Sequence, residues 1–199
     1  GKSEPAFDSA YSVEAFAADI DAVVDSLKLS RFVLIGHSMG GSAAIAYAKE
    51  HSDKVAGLLL TGAPGKTPKE QSQPVIASLE SASYQKVMDD YMRRLVTNAK
   101  PEVDTLVNDG VQKLSQETST RIIKAMFEFN PIPILKKYKG PVMIVSTSNE
   151  NQQPASLHNQ LPSIPFETIE GTSHWIQLDK PDEFNRILDK FLQTIDQAD

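Results

Sequence analysis

The chain has 199 residues, a formal net charge of −6 and no cysteine. With no basic excess, it lacks the clustered Lys and Arg that neutralise phosphates, so no nucleic-acid partner is expected. The lack of cysteine excludes disulfides, thiolate metal sites and a cysteine nucleophile. Apolar runs are far shorter than the roughly 20 residues that span a bilayer. A globular protein without a membrane span is expected, with the cytoplasm as the default location.

The first part of the chain alternates between predicted helices and buried strands. Apolar residues recur at helical spacing over residues 13–28, behind Ser12 as an N-cap. Residues 31–36 are nearly all apolar without alternation, which is typical of a parallel strand buried on both faces. A small-residue helix over 41–50 and a second buried strand over 55–61 follow. Strand, helix and strand at this spacing predict a βαβ unit.

The pattern changes over residues 66–138, where strand signals vanish and helical periodicity takes over. The alternation then resumes with a buried strand over 141–146, a strand over 166–170 and an amphipathic helix over 181–195. A long helical stretch between two strands is most simply an inserted subdomain. The predicted fold is therefore α/β, with a mostly parallel sheet and flanking helices. Its parts are a core over 1–65 and 139–199 and a helical cap over 66–138.

A serine between two glycines, Gly36-His37-Ser38-Met39-Gly40, joins the first predicted strand to the small-residue helix. Such a junction has a physical rationale, because the turn holds the serine in a strained conformation with its hydroxyl clear of the sheet. Side chains two residues before and after the serine would clash in so sharp a turn. As a nucleophile, a serine needs a base within reach, and the base needs a third group to fix its tautomer.

The chain has four histidines that could serve as this base. His37 adjoins Ser38 and points away from it, so we expect it to pack or to line the oxyanion region. His51 ends a helix, and His158 lies in a polar helix at the surface. His174 lies in a Gly-led loop beyond a buried strand, where the loops of a parallel sheet collect their chemistry. His174 is therefore the predicted base.

At this point the chain resembles the α/β-hydrolase superfamily, specifically its serine esterase-like members with a helical cap. The matching stretches are residues 36–41, 62–64 and 171–184. The resemblance implies that Ser38 is the nucleophile, that His174 is the base and that the Met39 backbone N–H is one oxyanion-hole donor. Nucleophile, acid and histidine follow the chain order that this fold uses. A serine at this turn argues against the dehalogenase and epoxide-hydrolase branches, which place an aspartate there.

The same resemblance implies an acid in the loop after the strand over 141–146, where the family usually carries aspartate. Here Glu150 falls at that place. It is either the triad acid or a solvated loop residue, and the other common acid position, at Thr61-Gly62-Ala63, offers no carboxylate. The predicted substrate pocket includes His37 and Trp175.

Several further apolar residues are candidates for an acyl pocket, although most of the Met and Phe side chains among them are expected in the core of the cap. They are Met88, Met92, Met126, Phe127 and Ile176.

The predicted function is a serine hydrolase acting on a small carboxylic ester or related acyl substrate, with neither cofactor nor metal. The same triad would serve a lactone hydrolase, a carbon–carbon bond hydrolase or a perhydrolase. A non-catalytic ligand-binding protein on the same fold is a further alternative. Nucleotide binding by residues 62–67 fails, because the two glycines there are too close for a phosphate-binding loop.

The family's early strands, and the loop that supplies a second oxyanion donor, precede the segment with which this sequence begins. The strand over 31–36 carries none of the charges or prolines that protect a sheet edge, so it is expected to have neighbours on both sides. The sequence therefore predicts the C-terminal portion of a larger hydrolase, whose Gly1-Lys2-Ser3 ends the turn after an earlier strand. The missing segment is lost or is supplied as a separate chain.

Overall fold

A computed structural model describes residues 11–196 of the chain, so the predicted turn at Gly1-Lys2-Ser3 lies outside the described residues. Four parallel strands form one sheet in the order β1-β2-β3-β4. The strands are β1 Phe32–His37, β2 Val55–Thr61, β3 Val142–Ser146 and β4 Phe166–Thr168. The predicted α/β class with a parallel sheet and flanking helices is confirmed.

Helices precede, separate and follow these strands. They are α1 Val13–Leu27, α2 Met39–Glu50, α3 Lys69–Leu79, α4 Tyr84–Leu95, α5 Pro101–Val111, α6 Gln116–Glu128, α7 Ile132–Lys137, α8 Ser148–Asn151, α9 Leu157–Gln160, α10 Ile176–Asp179 and α11 Pro181–Asp196. The sequence predicts the long helices among them, but it gives a loop where the one-turn helices α8 and α10 form.

The core lies on both faces of the sheet, because successive side chains of a strand point to opposite sides. Leu58 and Leu60 of β2 are fully buried against helices α1, α2 and α7. Leu59, between them, is fully buried against the other layer, where α11 contributes Phe184 and Phe191. A continuous apolar strand therefore has a buried place for every side chain, as the lack of alternation predicts.

Strand β1 is the edge of the described sheet. Within residues 11–196 it pairs with β2 alone, and its Ile35 side chain is 44% exposed. The expectation of a second neighbouring strand stays a prediction. No helix within the same range is both long and apolar enough to cross a membrane.

Helices α3 to α6 lie between β2 and β3, and we call residues 69–128 the helical insertion. The insertion has its own small apolar cluster, built around Met92, Val103 and Val107. Helix α7 behaves differently, because Leu135 is buried in the core cluster beside α2. The stretch predicted as a cap over 66–138 thus ends in a helix that packs on the core.

Parallel strands end at one edge of a sheet, and the loops that follow them meet there. In this protein those loops hold Ser38 after β1, Gly62 after β2, Glu150 after β3 and His174 after β4. The fold therefore brings together residues that lie far apart in the chain.

Candidate active site

Ser38 occupies a strained turn between β1 and α2. Its backbone has φ 52° and ψ −119°, a region that side chains rarely adopt. The Ser38 N–H donates to the Thr61 carbonyl at 2.8 Å, and the Ser38 carbonyl accepts from Gly41 N at 2.9 Å. The strain is thus fixed by hydrogen bonds to the neighbouring strand and to the first turn of α2. Met39 is the first residue of that helix, so its N–H has no partner within the helix.

The glycines around Ser38 have unequal roles. A Cβ at Gly36 would lie 2.5 Å from the Gly41 Cα, and one at Gly41 would lie 2.6 Å from the Ala63 Cβ. A Cβ at Gly40 would meet nothing within 4 Å among the described residues. The expected clash two residues after the serine is therefore wrong. Close packing of α2 on the loop after β2 instead requires the glycine at position 41.

Glu150 is held by a helix cap. Thr147 is the N-cap of α8, and its hydroxyl accepts from Glu150 N at 3.2 Å. Glu150 Oε2 in turn accepts from Thr147 N at 3.0 Å, which completes a capping box. This leaves Oε1 free to face the loop after β4. A glutamate reaches that loop because the chain forms a helical turn, rather than an open loop, after β3.

His174 meets Glu150 directly, with Nδ1 at 2.5 Å from Oε1. Because a carboxylate only accepts, Nδ1 carries the proton and Nε2 carries the lone pair. Nε2 is buried and makes no hydrogen bond to any residue between 11 and 196. The ring is therefore oriented by a carboxylate on one side and is ready to accept a proton on the other.

Gly62 allows this pair to lie against the end of β2. Its backbone has φ 57°, in the left-handed region, and a Cβ there would lie 2.7 Å from His174 Cε1. The same Cβ would lie 3.3 Å from Glu150 Oε1. Any side chain at this position would thus strain the backbone and displace the histidine.

The loop that carries His174 is anchored by Asp179, which is 2% exposed. One oxygen of this carboxylate accepts from Ser173 N at 2.8 Å and from the Ser173 hydroxyl at 2.5 Å. The other accepts from Lys100 N, in the helical insertion, at 2.9 Å. The His174 N–H donates to the Leu95 carbonyl at 2.9 Å. The insertion and the histidine loop are therefore joined at two points.

His37 packs behind His174. Its Nε2–H donates to the His174 carbonyl at 3.0 Å, and the ring centroids of the two histidines lie 4.6 Å apart. Burial, together with the nearby charge of His174, lowers the pKa of His37 to about 4. The Trp175 ring lies edge-on to His174, with centroids 5.2 Å apart, and packs against the apolar cluster of the helical insertion. Both side chains thus pack against His174.

A cavity of about 390 Å³ lies between the core and the helical insertion. Ser38, Glu150 and His174 all line it. His37 and Trp175, predicted for the substrate pocket, are not among the described residues that line this cavity.

The insertion side of the same cavity includes Met126 and Phe127, but neither Met88 nor Met92, which are buried within the insertion. His158 also lines the cavity, with its ring against Phe166 at a centroid distance of 3.5 Å. The expectation that His158 lies at the surface is therefore wrong.

Three further residues of the site carry weaker sequence signals. Thr147-Ser148-Asn149-Glu150 is a capping-box pattern, which would have predicted the turn that aims Glu150. Gly62 follows a buried strand, and glycine commonly ends a strand. Nothing in the sequence, however, indicates that His174 and Glu150 pack against this glycine. Asp179 has no local signal, because Lys100 is 79 residues away and Ser173, although only six residues away, meets it through the fold of the loop. No group of three or more His, Asp or Glu within the described part of the chain is placed to hold a metal ion.

The sequence profile of the alpha/beta hydrolase family matches residues 1–187, so the chain belongs to this family. It is 26% identical to an sn-1-specific diacylglycerol lipase of Mus musculus over 91% of this chain and 65% of the relative. It is 27% identical to a 2-hydroxymuconate semialdehyde hydrolase of Pseudomonas putida over 98% of this chain and 74% of the relative. The chain thus spans about two thirds to three quarters of these relatives.

Solved structures show the same fold. An enol-lactonase from Burkholderia xenovorans superposes with a TM-score of 0.79 at 22% identity, over 97% of this chain and 77% of that structure. An esterase from Exiguobacterium antarcticum superposes with a TM-score of 0.78 at 20% identity, over 97% of this chain and 78% of that structure.

Proposed function

We propose that this chain carries the catalytic residues of a serine hydrolase that cleaves a small carboxylic ester or a related acyl substrate. The observation that supports this most directly is the short contact between His174 Nδ1 and Glu150, at 2.5 Å, with Nε2 left unpartnered among the described residues. His174 is held in this tautomer and lines the same cavity as Ser38. One site thus offers a base, His174, and a nucleophile, Ser38.

In the proposed reaction, the Ser38 hydroxyl attacks the acyl carbonyl while His174 Nε2 takes its proton. Glu150 stabilises the imidazolium that forms, and His174 returns the proton to the leaving group. The first N–H groups of α2, with that of Met39 foremost, face the end of the turn and supply partial positive charge for the oxyanion. A water molecule then attacks the acyl group on Ser38 with the same help from His174, and the acid is released.

The cavity volume favours a small substrate, because about 390 Å³ lies near the lower end of the range for small-molecule sites. Relatives named as a lipase and as a semialdehyde hydrolase, and a structural neighbour named as an enol-lactonase, support hydrolytic acyl chemistry without selecting one substrate. Lactone, carbon–carbon bond and perhydrolase reactions use the same residues. A panel of 4-nitrophenyl esters of increasing acyl length, a lactone and a β-diketone would separate these reactions by turnover.

Covalent labelling with a fluorophosphonate probe tests the nucleophile. We expect the wild-type protein to be labelled once, at Ser38, and Ser38→Ala to show no labelling above background. Ser156→Ala is a matched control, because Ser156 lines the same cavity but its hydroxyl caps α9 by accepting from Asn159 N at 3.2 Å. Labelling that persists in Ser38→Ala would refute the assignment, and an unlabelled wild type would favour a ligand-binding protein.

A further inference from the structure

Arg94 is the only lysine or arginine among the described residues that line the cavity at Ser38. The only carboxylate on the same lining is Glu150, and it is engaged by His174 and by the Thr147 N–H. Lys66 belongs to the same loop region, but its ammonium group donates to the Phe127 carbonyl at 2.6 Å and to that of Glu128 at 3.0 Å. Among the described residues of the lining, Arg94 is therefore the one cation, and it makes no ion pair with the one carboxylate, Glu150.

Among residues 11–196, Arg94 also lacks an ion pair outside the cavity. The ion pairs recorded within residues 11–196 include Arg93, which meets Asp90 at 2.9 Å, but none includes Arg94. The two arginines are neighbours on α4 and both are exposed, but Arg93 is paired with Asp90, whereas Arg94 lines the cavity.

The backbone of Arg94 lies next to a hydrogen bond with the histidine loop. It precedes Leu95, whose carbonyl accepts the His174 N–H at 2.9 Å. Tyr91 lines the cavity one turn earlier on α4. Burial raises the pKa of its hydroxyl, while the charge of Arg94 lowers this pKa and that of Glu150 raises it. The guanidinium group is thus carried by the part of the insertion that is bonded to the histidine loop.

We infer that the substrate carries a carboxylate, and that Arg94 binds it while Ser38 attacks an acyl carbonyl elsewhere in the same molecule. A guanidinium group presents a planar fork of donors that matches a carboxylate in a bidentate pair. One arginine balances one negative charge, whereas a phosphate dianion would leave charge uncompensated. The chain as a whole has a net charge of −6, so this cation is not part of a generally basic surface. The inference rests on the proposed hydrolase function.

Paired substrates test the inference. The first member of each pair is the 4-nitrophenyl monoester of a dicarboxylic acid, in a series from glutaric to suberic acid. The second member is the same compound with its free carboxylate masked as a methyl ester. We expect the wild type to prefer the free carboxylate in at least one pair. In Arg94→Gln, kcat/KM for that compound should fall about 10- to 100-fold, as loss of a charge-assisted hydrogen bond predicts.

Two variants make the outcome specific. Arg93→Gln removes the neighbouring guanidinium from the outer surface and should leave both members of each pair unchanged. Arg94→Lys keeps the charge but not the fork, so it should recover part of the preference. In Arg94→Gln, kcat/KM should fall less for the masked esters than for the free carboxylates, because the guanidinium group is proposed to bind the carboxylate. A fluorophosphonate should still label this variant at Ser38, which shows that the nucleophile is intact.

The outcomes separate this inference from the proposed function. The inference would be overturned if Arg94→Gln lost kcat/KM equally on the masked and the free esters. It would also be overturned if the wild type showed no preference for the free carboxylate in any pair. In both cases, fluorophosphonate labelling at Ser38 would show that the hydrolase function stands. A wild type that is neither labelled nor active on any ester would mean that the proposed function itself has failed.

Discussion

Two walls enclose the cavity at Ser38, and they are built by different means. The core wall includes Ser38, Gly62, Glu150 and His174, which follow the ends of the parallel strands. Their positions depend on strained turns, on a glycine that leaves no room for a side chain and on a capping box. At Ser38 and Gly62 the backbone conformation itself limits which residues fit.

The insertion wall is formed by helical side chains, which are Gln71, Val75, Tyr91, Arg94, Leu95, Met126 and Phe127. None of these positions has a special backbone conformation, so other side chains could occupy them without strain. Under the proposed function, we expect the core wall to determine which reaction is possible and the insertion wall to determine which substrate fits. Changes in the core wall should therefore lower kcat for every substrate, and changes in the insertion wall should alter the ranking of substrates.

The largest effect is expected for Glu150→Gln. The amide retains an oxygen for the Thr147 N–H, but its NH₂ group opposes the proton on His174 Nδ1 and favours the wrong tautomer. We expect kcat to fall about 10³- to 10⁴-fold for all esters, with little change in melting temperature. Steady-state kinetics with a neutral and an acidic ester measures this loss.

Glu170→Gln is the matched control for that substitution. Glu170 accepts a hydrogen bond from Ser148 on the same short helix, α8, but does not line the cavity. Its substitution should leave kcat within about threefold of wild type, as is usual for groups outside the reacting shell. A Glu150→Gln enzyme with near-normal kcat would show that Glu150 is only a helix cap.

The second effect concerns pH and stability, through His37. Its pKa is lowered from 6.5 to about 4 in the folded protein, so the unfolded chain binds the proton more tightly. This group therefore stabilises the fold fully above pH 6.5, and the contribution is lost as the pH falls towards 4. The loss amounts to about 3 kcal/mol.

His37→Phe keeps a ring against Trp175 and removes the titration. Urea unfolding of wild type and variant from pH 7.5 to pH 4 would measure the difference in slope. We expect the wild type to lose about 3 kcal/mol more than the variant over this range. Parallel curves would mean that His37 is not held neutral by the core.

The core wall and the insertion wall also differ in how far the sequence predicts them. Strands β1 to β3 and the turn at Ser38 follow from local patterns, since uninterrupted apolar runs and a serine flanked by glycines each have a local physical cause. The assignment of His174 also needs only its position after a strand. Short helices such as α8 are missed because a single turn carries no periodicity, although its Thr147 to Glu150 capping pattern was visible.

The insertion wall could not be predicted in the same way. Met88 and Met126 have similar helical surroundings in the sequence, yet one is buried inside the insertion and the other lines the cavity. Arg93 and Arg94 are adjacent and chemically identical, and only helix rotation and packing separate them. Which face of each helix meets the core depends on contacts between distant elements, and these leave no local signal.

Substitution of Gly62 tests how little space the core wall leaves for a side chain beside His174. Gly62→Ala would place a Cβ 2.7 Å from His174 Cε1. We expect about 1–2 kcal/mol of destabilisation from the left-handed backbone. Displacement of the histidine should lower kcat about 10- to 100-fold. Thermal unfolding and kinetics on several esters would measure both effects.

Gly171→Ala separates strain from displacement. Gly171 also has a left-handed backbone, with φ 66°, but a Cβ there would meet nothing within 4 Å among the described residues. It should lose a similar free energy of unfolding while kcat stays near the wild-type value. If both variants lost activity equally, contact with His174 would not be the reason that Gly62 is required.

The smallest effect is expected at Asp179, which forms hydrogen bonds with both the histidine loop and the insertion. Its carboxylate accepts from Ser173 in the histidine loop and from Lys100 N in the insertion. Asp179→Asn keeps one acceptor oxygen and turns the other into a donor that opposes an N–H. We expect a loss of about 1–2 kcal/mol in the free energy of unfolding, since one buried hydrogen bond fails.

Hydrogen exchange would show whether this loss is shared. If Asp179 joins the two walls, Asp179→Asn should speed exchange both at the His174 N–H, which donates to Leu95, and at Lys100 N. Asp182→Asn, an exposed change in the first turn of α11, should leave both amides unchanged. Faster exchange at Lys100 alone would contradict the coupling, because the histidine would then keep its position without the insertion. Faster exchange at both amides would mean that substrate binding at the insertion can affect the position of His174 through the hydrogen bonds that join the two regions.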